Sequence, residues 1–131
     1  MKVFIAILVI LLSCGSEAIS CRYDEEAISE LSNKYRDLVR MEREVEGDLV
    51  TVTIFAPRML EGREFKYGGL LSSEDNAASQ KYAFPLAAEV ENEKVVITYQ
   101  ASSKMLGRSF IEFHYGSGCA LIIKYKNRTN A

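Results

Sequence analysis

The sequence predicts an α+β fold, an N-terminal amphipathic helix packed on a roughly six-stranded antiparallel sheet, open or curled. Three observations predict it. Apolar residues recur at helical spacing over residues 24–46, and the period falls to two after Gly47. The 131 residues are also 48% apolar and 26% charged, with a net charge of -2, which suits one globular domain over residues 19–131 behind an export segment. That composition excludes a disordered chain. With 16 basic against 18 acidic residues, it also lacks the electrostatic footprint of a nucleic-acid or anionic-surface binder.

The first element is the export segment. Met1-Lys2 is a minimal basic start, and residues 3–12 (VFIAILVILL) are an unbroken apolar run. As a helix this run spans about 15 Å, half of the roughly 30 Å hydrocarbon core, so it reads as a signal and not as a membrane span. Ser16-Glu17-Ala18 offers an A-x-A-like site that removes residues 1–18 and releases a soluble protein beginning at Ile19. Leu11-Leu12-Ser13-Cys14 resembles the lipobox of bacterial lipoproteins, which implies removal of residues 1–13 and a lipid on Cys14. The bulky Leu12 and the short signal depart from that pattern, but the absence of a spacer after the apolar run makes this the leading reading. Either route disposes of Cys14 and leaves Cys21 and Cys119 as a pair, expected to form a disulfide in an oxidising compartment. Closing that 98-residue separation would stabilise by about 4–5 kcal/mol in the chain-entropy model. Asn127-Arg128-Thr129 is a glycosylation sequon, which belongs with the soluble secretory route.

Next comes the helix. Ile28, Leu31, Tyr35, Leu38, Met41 and Val45 form one stripe along a helix of about 22 residues, long enough to lie across a sheet. Asp24, Glu25 and Glu26 complement its macrodipole, Glu30 faces Lys34 one turn on, and Gly47 supplies a left-handed stop. Alternating runs follow. Val50, Val52 and Ile54 end at Pro57, Phe65 and Tyr67 alternate with Glu64 and Lys66, and Pro85 marks the run Phe84, Leu86, Ala88, Val90 as an edge strand. With Asn92-Glu93 as a turn, Val90 opposes Val95, Ala88 opposes Ile97 and Leu86 opposes Tyr99, so every apolar side chain shares one face. A Gly116-Ser117-Gly118 loop sets Tyr115 opposite Cys119, Phe113 opposite Leu121 and Ile111 opposite Ile123. Cys119 then sits on the core face beside the start of the helix, where Cys21 lies. The helix-then-sheet order resembles cystatin-like folds without their Gln-x-Val-x-Gly segment, and implies no function.

Candidate chemistry is sparse. His114, the single histidine, stands beside Glu112 at i,i+2 on the outer strand face, a pairing that can orient an imidazole for general-base work but usually marks plain surface. With Cys21 and Cys119 paired, no zinc set remains. Glu89, Glu91 and Glu93 lack the loop spacing of a calcium site, and Ala101 stands where a serine–lysine motif ending at Lys104 needs its serine. Gly68-Gly69 and Gly116-Ser117-Gly118 lack the frame of a phosphate loop. Recognition is left to surfaces: the polar connection 71–81 and the Met59-Leu60 and Met105-Leu106 pairs.

These readings predict an exported, non-enzymatic binding or accessory protein, in leading form an envelope lipoprotein tethered through Cys14. No catalytic, cofactor-binding or metal-binding residue is expected. Its partner would be a protein or a small ligand, with no nucleic acid, and the membrane would be met only through the lipid. The alternative is a soluble secreted effector or inhibitor, and a third reading is an exported hydrolase using Glu112 and His114.

Overall fold

The structure, a computed structural model, describes residues 24–73 and 80–127; the expected export segment, Cys14, Cys21 and the tip of the 71–81 connection lie outside them. Helix α1 (Glu25–Lys34) begins where the Asp24 carboxylate accepts a 2.7 Å hydrogen bond from the Ala27 amide, with Glu25 and Glu26 in the first turn. It ends at Lys34. A 3-10 turn (Arg36–Leu38) and strand β1 (Arg40–Glu46) occupy the rest of the expected helix. Residues 39–46 (VRMEREVE) carry two periods at once, because Val39, Met41, Arg43 and Val45 also alternate with Arg40, Glu42, Glu44 and Glu46. Pairing decides between them. Strand β2 (Leu49–Pro57) offers β1 a continuous ladder from Arg40↔Phe55 to Glu46↔Leu49, and Gly47, at φ 65°, turns this hairpin and does not cap a helix.

The described chain continues through β3 (Met59–Leu60), β4 (Arg63–Ser73), β5 (Gln80–Leu86), β6 (Ala88–Glu91), β7 (Lys94–Ser102), the short helix α2 (Ser103–Leu106), β8 (Ser109–Tyr115) and β9 (Leu121–Lys126). These strands make two antiparallel sheets, one ordered β1-β2-β7-β6 and one ordered β3-β4-β8-β9 with β5 also on β4. The expected single six-stranded sheet under a helix, and with it the cystatin-like order, is therefore overturned. The core lies between two sheets: Val52, Ile54, Val95 and Ile97 from one and Ile111, Phe113, Tyr115 and Ile123 from the other are fully buried. Each sheet thus buries one face, which is why period-two patterning persists while one long helix has nothing left to cover.

Two hairpin registers and one strand face also differ from expectation. The β6–β7 hairpin keeps Glu91↔Lys94, Val90↔Val95 and Ala88↔Ile97, but the ladder ends there, and Leu86 pairs with Gly68 in the other sheet instead of with Tyr99. The chain thereby steps between sheets at Ala87. Gly68 permits the crossing because a Cβ on it would stand 3.0 Å from Ile97 Cδ1. In β4 a register shift between Phe65 and Tyr67 leaves Phe65 on the core and turns Tyr67 outward. In the last hairpin Tyr115 opposes Leu121, Phe113 opposes Ile123 and Ile111 opposes Tyr125. That is a shift of two, which preserves faces but moves Cys119 out of the strand and into a loop with Gly116 and Gly118 at positive φ.

Helix α1 packs along β9. Ser32, 5% exposed, accepts the outward-pointing Lys124 amide at 2.8 Å and donates to Ile28 O, while the Tyr125 hydroxyl donates to Ser32 O at 2.9 Å. One serine thus occupies the free edge of the final strand. Leu31 and Tyr35 reach the core from the same helix. Its C-terminal end is tied to the β3–β4 turn, where the Glu61 carboxylate accepts from Lys34 at 2.8 Å and from the Tyr35 hydroxyl. Those hydrogen bonds hold the Glu61 carboxyl below its usual range and push the Lys34 amine up. No helix among the described residues is long and apolar enough to cross a membrane.

Candidate functional site

The two outer faces of the sandwich differ in character. On the four-stranded sheet two outward rows are polar, Glu42, Thr53 and Thr98 in one and Glu44, Thr51 and Gln100 in the next, with Gln100 donating to Thr51 Oγ1 at 3.1 Å, and a further row, Arg40–Phe55–Val96–Glu89, holds two apolar side chains between charged ones. On the five-stranded sheet the outward rows are Tyr67–His114–Ile122, Pro85–Gly69–Glu112–Lys124 and Ala83–Leu71–Phe110–Lys126. That second face sets aromatic and apolar side chains around an acid–imidazole pair, with Lys124 and Lys126 along its β9 edge.

Strand alternation places Glu112 and His114 there, since Ile111, Phe113 and Tyr115 must face the core. The sequence-predicted pair is brought together: His114 Nε2 meets Glu112 Oε1, with the two side chains 14% and 20% exposed. Tyr67, turned out by the β4 bulge, stacks on the imidazole at 4.2 Å between centroids and 18° between planes while remaining 53% exposed. Beside them Lys124 Nζ lies 4.9 Å from the Phe110 ring centroid and 3.8 Å from a Glu25 carboxylate oxygen at the helix start. The result is a rigid, amphipathic patch with an aromatic ring presented to solvent.

The other sequence-predicted residues do not join it. Cys119 lies in the β8–β9 loop, where its carbonyl accepts from the partly buried Arg63 guanidinium. Glu91 and Glu93 flank the β6–β7 turn, where a shallow cavity of about 360 Å³ lies between that turn, Val96, Phe55 and Arg40, whose guanidinium sits 4.4 Å over the Phe55 ring. No group of three potential metal ligands occurs among the described residues. Ser102 caps α2 by accepting from the Met105 amide, and Leu60 and Leu106 are buried ends of the core. Asn127, the sequon asparagine, is 1% exposed, with Nδ2 donating to Ser109 Oγ at 2.8 Å and Oδ1 accepting from the Tyr99 hydroxyl at 3.0 Å.

Sequence reasoning missed Arg43. Read as part of a helix it belongs to a wet face; as part of β1 it opposes the fully buried Val52 and points to the core side, half-buried between Met41 and Val45. The alternation of Val39, Met41, Arg43 and Val45 is the signal that could have found it. Tyr67 was visible only as an apolar alternation, because nothing local announces a bulge. Among known proteins, no family model, curated protein or solved structure matches this chain.

Proposed function

We propose that the protein is an exported, non-enzymatic binding protein that docks a partner protein on the outer face of the five-stranded sheet, in leading form a lipoprotein tethered through Cys14. The observation that carries the docking reading is the half-exposed Tyr67 on the outer face of the five-stranded sheet, fixed by stacking on an imidazole that is itself fixed by a carboxylate. On the outer face of the four-stranded sheet the aromatic side chain, Phe55, instead lies under the Arg40 guanidinium. Preorganised aromatic side chains in apolar surroundings are the usual anchors of protein interfaces. A hydrolytic role for Glu112 and His114 would have to act on water directly, because their in-register neighbours on that face, Tyr67, Gly69, Ile122 and Lys124, bear no aliphatic hydroxyl or thiol.

The docking test is paired crosslinking in the native host: a photoreactive residue at position 67 should give a discrete adduct, and the same residue at position 98 on the opposite face should give none. Equal labelling from both positions, or none from 67, overturns the docking face. Intact mass of the protein from the membrane fraction tests the tether, which supports the reading if Cys14 carries lipid and removes it if the chain begins at Ile19. That second outcome is the soluble secreted form, whose cleavage site at Ala18 is intact in the sequence.

A further inference from the structure

The helix-bridged side of the sandwich carries a charge that nothing in the fold requires. Arg43 stands in the core-facing row Arg43–Val52–Tyr99 across β1, β2 and β7. Its neighbours on the same side of β1 are Met41 and Val45, and Leu38 precedes the strand; Val45 and Leu38 are 69% and 55% exposed. A half-buried guanidinium is normally matched by a carboxylate, because desolvating an unpaired cation is costly. Among the described residues no carboxylate pairs with Arg43, whereas Arg40 and Arg58 on the outside bond Glu42 and Glu64. Across β2 in the same row, the Tyr99 hydroxyl already gives its proton to Asn127.

We propose that Arg43 is the anion-binding residue of a second site, on the core-facing side of β1, whose ligand is an amphiphile with a carboxylate head and an apolar tail. The guanidinium offers a planar fork that matches a carboxylate, and the exposed Val45 and Leu38 supply apolar surface for the tail. The site is separate from the outer face of the five-stranded sheet, so it stands or falls independently of the docking reading.

The test is binding of dodecanoate and of its uncharged analogue dodecanol to the folded protein by titration calorimetry. Dodecanoate should bind at least about tenfold more tightly than dodecanol, and Arg43→Met should abolish that difference while Arg43→Lys retains part of it. Without ligand, Arg43→Met should be as stable as the parent or more so, since an unpaired, partly desolvated charge has been removed. Tyr67→Ala and His114→Ala should leave dodecanoate affinity unchanged. Equal affinity for the two probes, or an Arg43→Met protein that binds dodecanoate normally, overturns the proposal. So does loss of stability in Arg43→Met, which would make Arg43 a fold residue. Self-association of that variant with unaltered ligand affinity would assign the inward charge to protection of the β1 edge instead.

Discussion

The side chain of Asn127 closes the end of the sandwich, and its replacement tests that role together with the sequon. Asn127 bonds three ways: its backbone amide to Ser109 O at 3.1 Å, Nδ2 to Ser109 Oγ at 2.8 Å and Oδ1 to the Tyr99 hydroxyl at 3.0 Å. Asn127→Ala removes the two side-chain bonds, each worth about 1 kcal/mol, and leaves the largely buried Tyr99 hydroxyl without an acceptor, for a total loss of about 2–4 kcal/mol. Urea unfolding followed by circular dichroism measures this as a lower midpoint at unchanged slope. Nδ2 is also the atom a glycan would occupy, and at 1% exposure with its hydrogen bond made, the folded domain has no room for one. Protein secreted folded from a eukaryotic host should therefore show no mass difference at this sequon after glycosidase treatment. A glycan on Asn127 of the folded protein, or an Asn127→Ala variant within about 0.5 kcal/mol of the parent, would refute the closing network.

Three further outcomes are expected. Ser32→Ala should cost about 1–3 kcal/mol in urea unfolding, because the Lys124 amide loses its acceptor, and amide exchange at Lys124 should quicken more than at Ile123; unchanged exchange would show that α1 does not cover that edge. Burial pushes the Tyr99 and Tyr125 phenols up to about 12 and raises Tyr115 further, so the folded state favours the neutral form. Stability is then full below about pH 10, the unfolded value, and falls as pH rises toward 12, by up to about 1.4 kcal/mol per pH unit for each of Tyr99 and Tyr115, which urea midpoints against tyrosinate absorbance would record; a flat profile over that window would contradict the burial. Cys119→Ser should lower stability by about 2–5 kcal/mol, and non-reducing peptide mapping should join Cys119 to the peptide containing Cys21, the pairing we propose; a Cys14 partner would remove that pairing and the lipid anchor together.

What was legible in the sequence is what local pattern controls. The β2 alternation, the Asn92-Glu93 turn with Val90↔Val95 and Ala88↔Ile97, and the outward placement of Glu112 and His114 all follow from period two, and period two survives any sandwich that buries one face. The rest depended on partners distant in sequence. Residues 39–46 satisfy a helix and a strand equally well until β2 supplies its ladder, so the helix was extended by twelve residues that belong elsewhere. Leu86 satisfies the hairpin register with Tyr99, yet Gly68, eighteen positions earlier, takes it into the other sheet. A slip of two in the β8–β9 hairpin is invisible to patterning because it leaves every face unchanged. The candidate patch inherits these limits: its acid–imidazole pair could be read from alternation, whereas Tyr67 needs the bulge and Arg43 needs β1.

The edges of the two sheets bear on how such a domain could recognise anything. Two open sheets expose strand edges, and each is blunted by a different device: Ser32 of α1 takes the Lys124 amide on β9, Pro85 interrupts β5, β6 is only four residues long, and β1 carries Arg40, Glu42, Glu44 and Glu46 along its outer side. Recognition by strand addition is thus opposed along the periphery, and the surfaces left for it are faces. Of those, the outer face of the four-stranded sheet is a Thr–Gln–Glu lattice over two of its rows, with high desolvation cost, and its Phe55–Val96 pair lies between the charged Arg40 and Glu89. The outer face of the five-stranded sheet has the reverse balance: Phe110, Leu71, Pro85 and Tyr67 offer apolar area, and the Glu112–His114 hydrogen bond already satisfies the polar atoms a partner would otherwise have to desolvate unpaired. Arg43 faces the interior of the sandwich from the other sheet. A ligand held there leaves the tyrosine patch uncovered, so the two sites can be occupied at once.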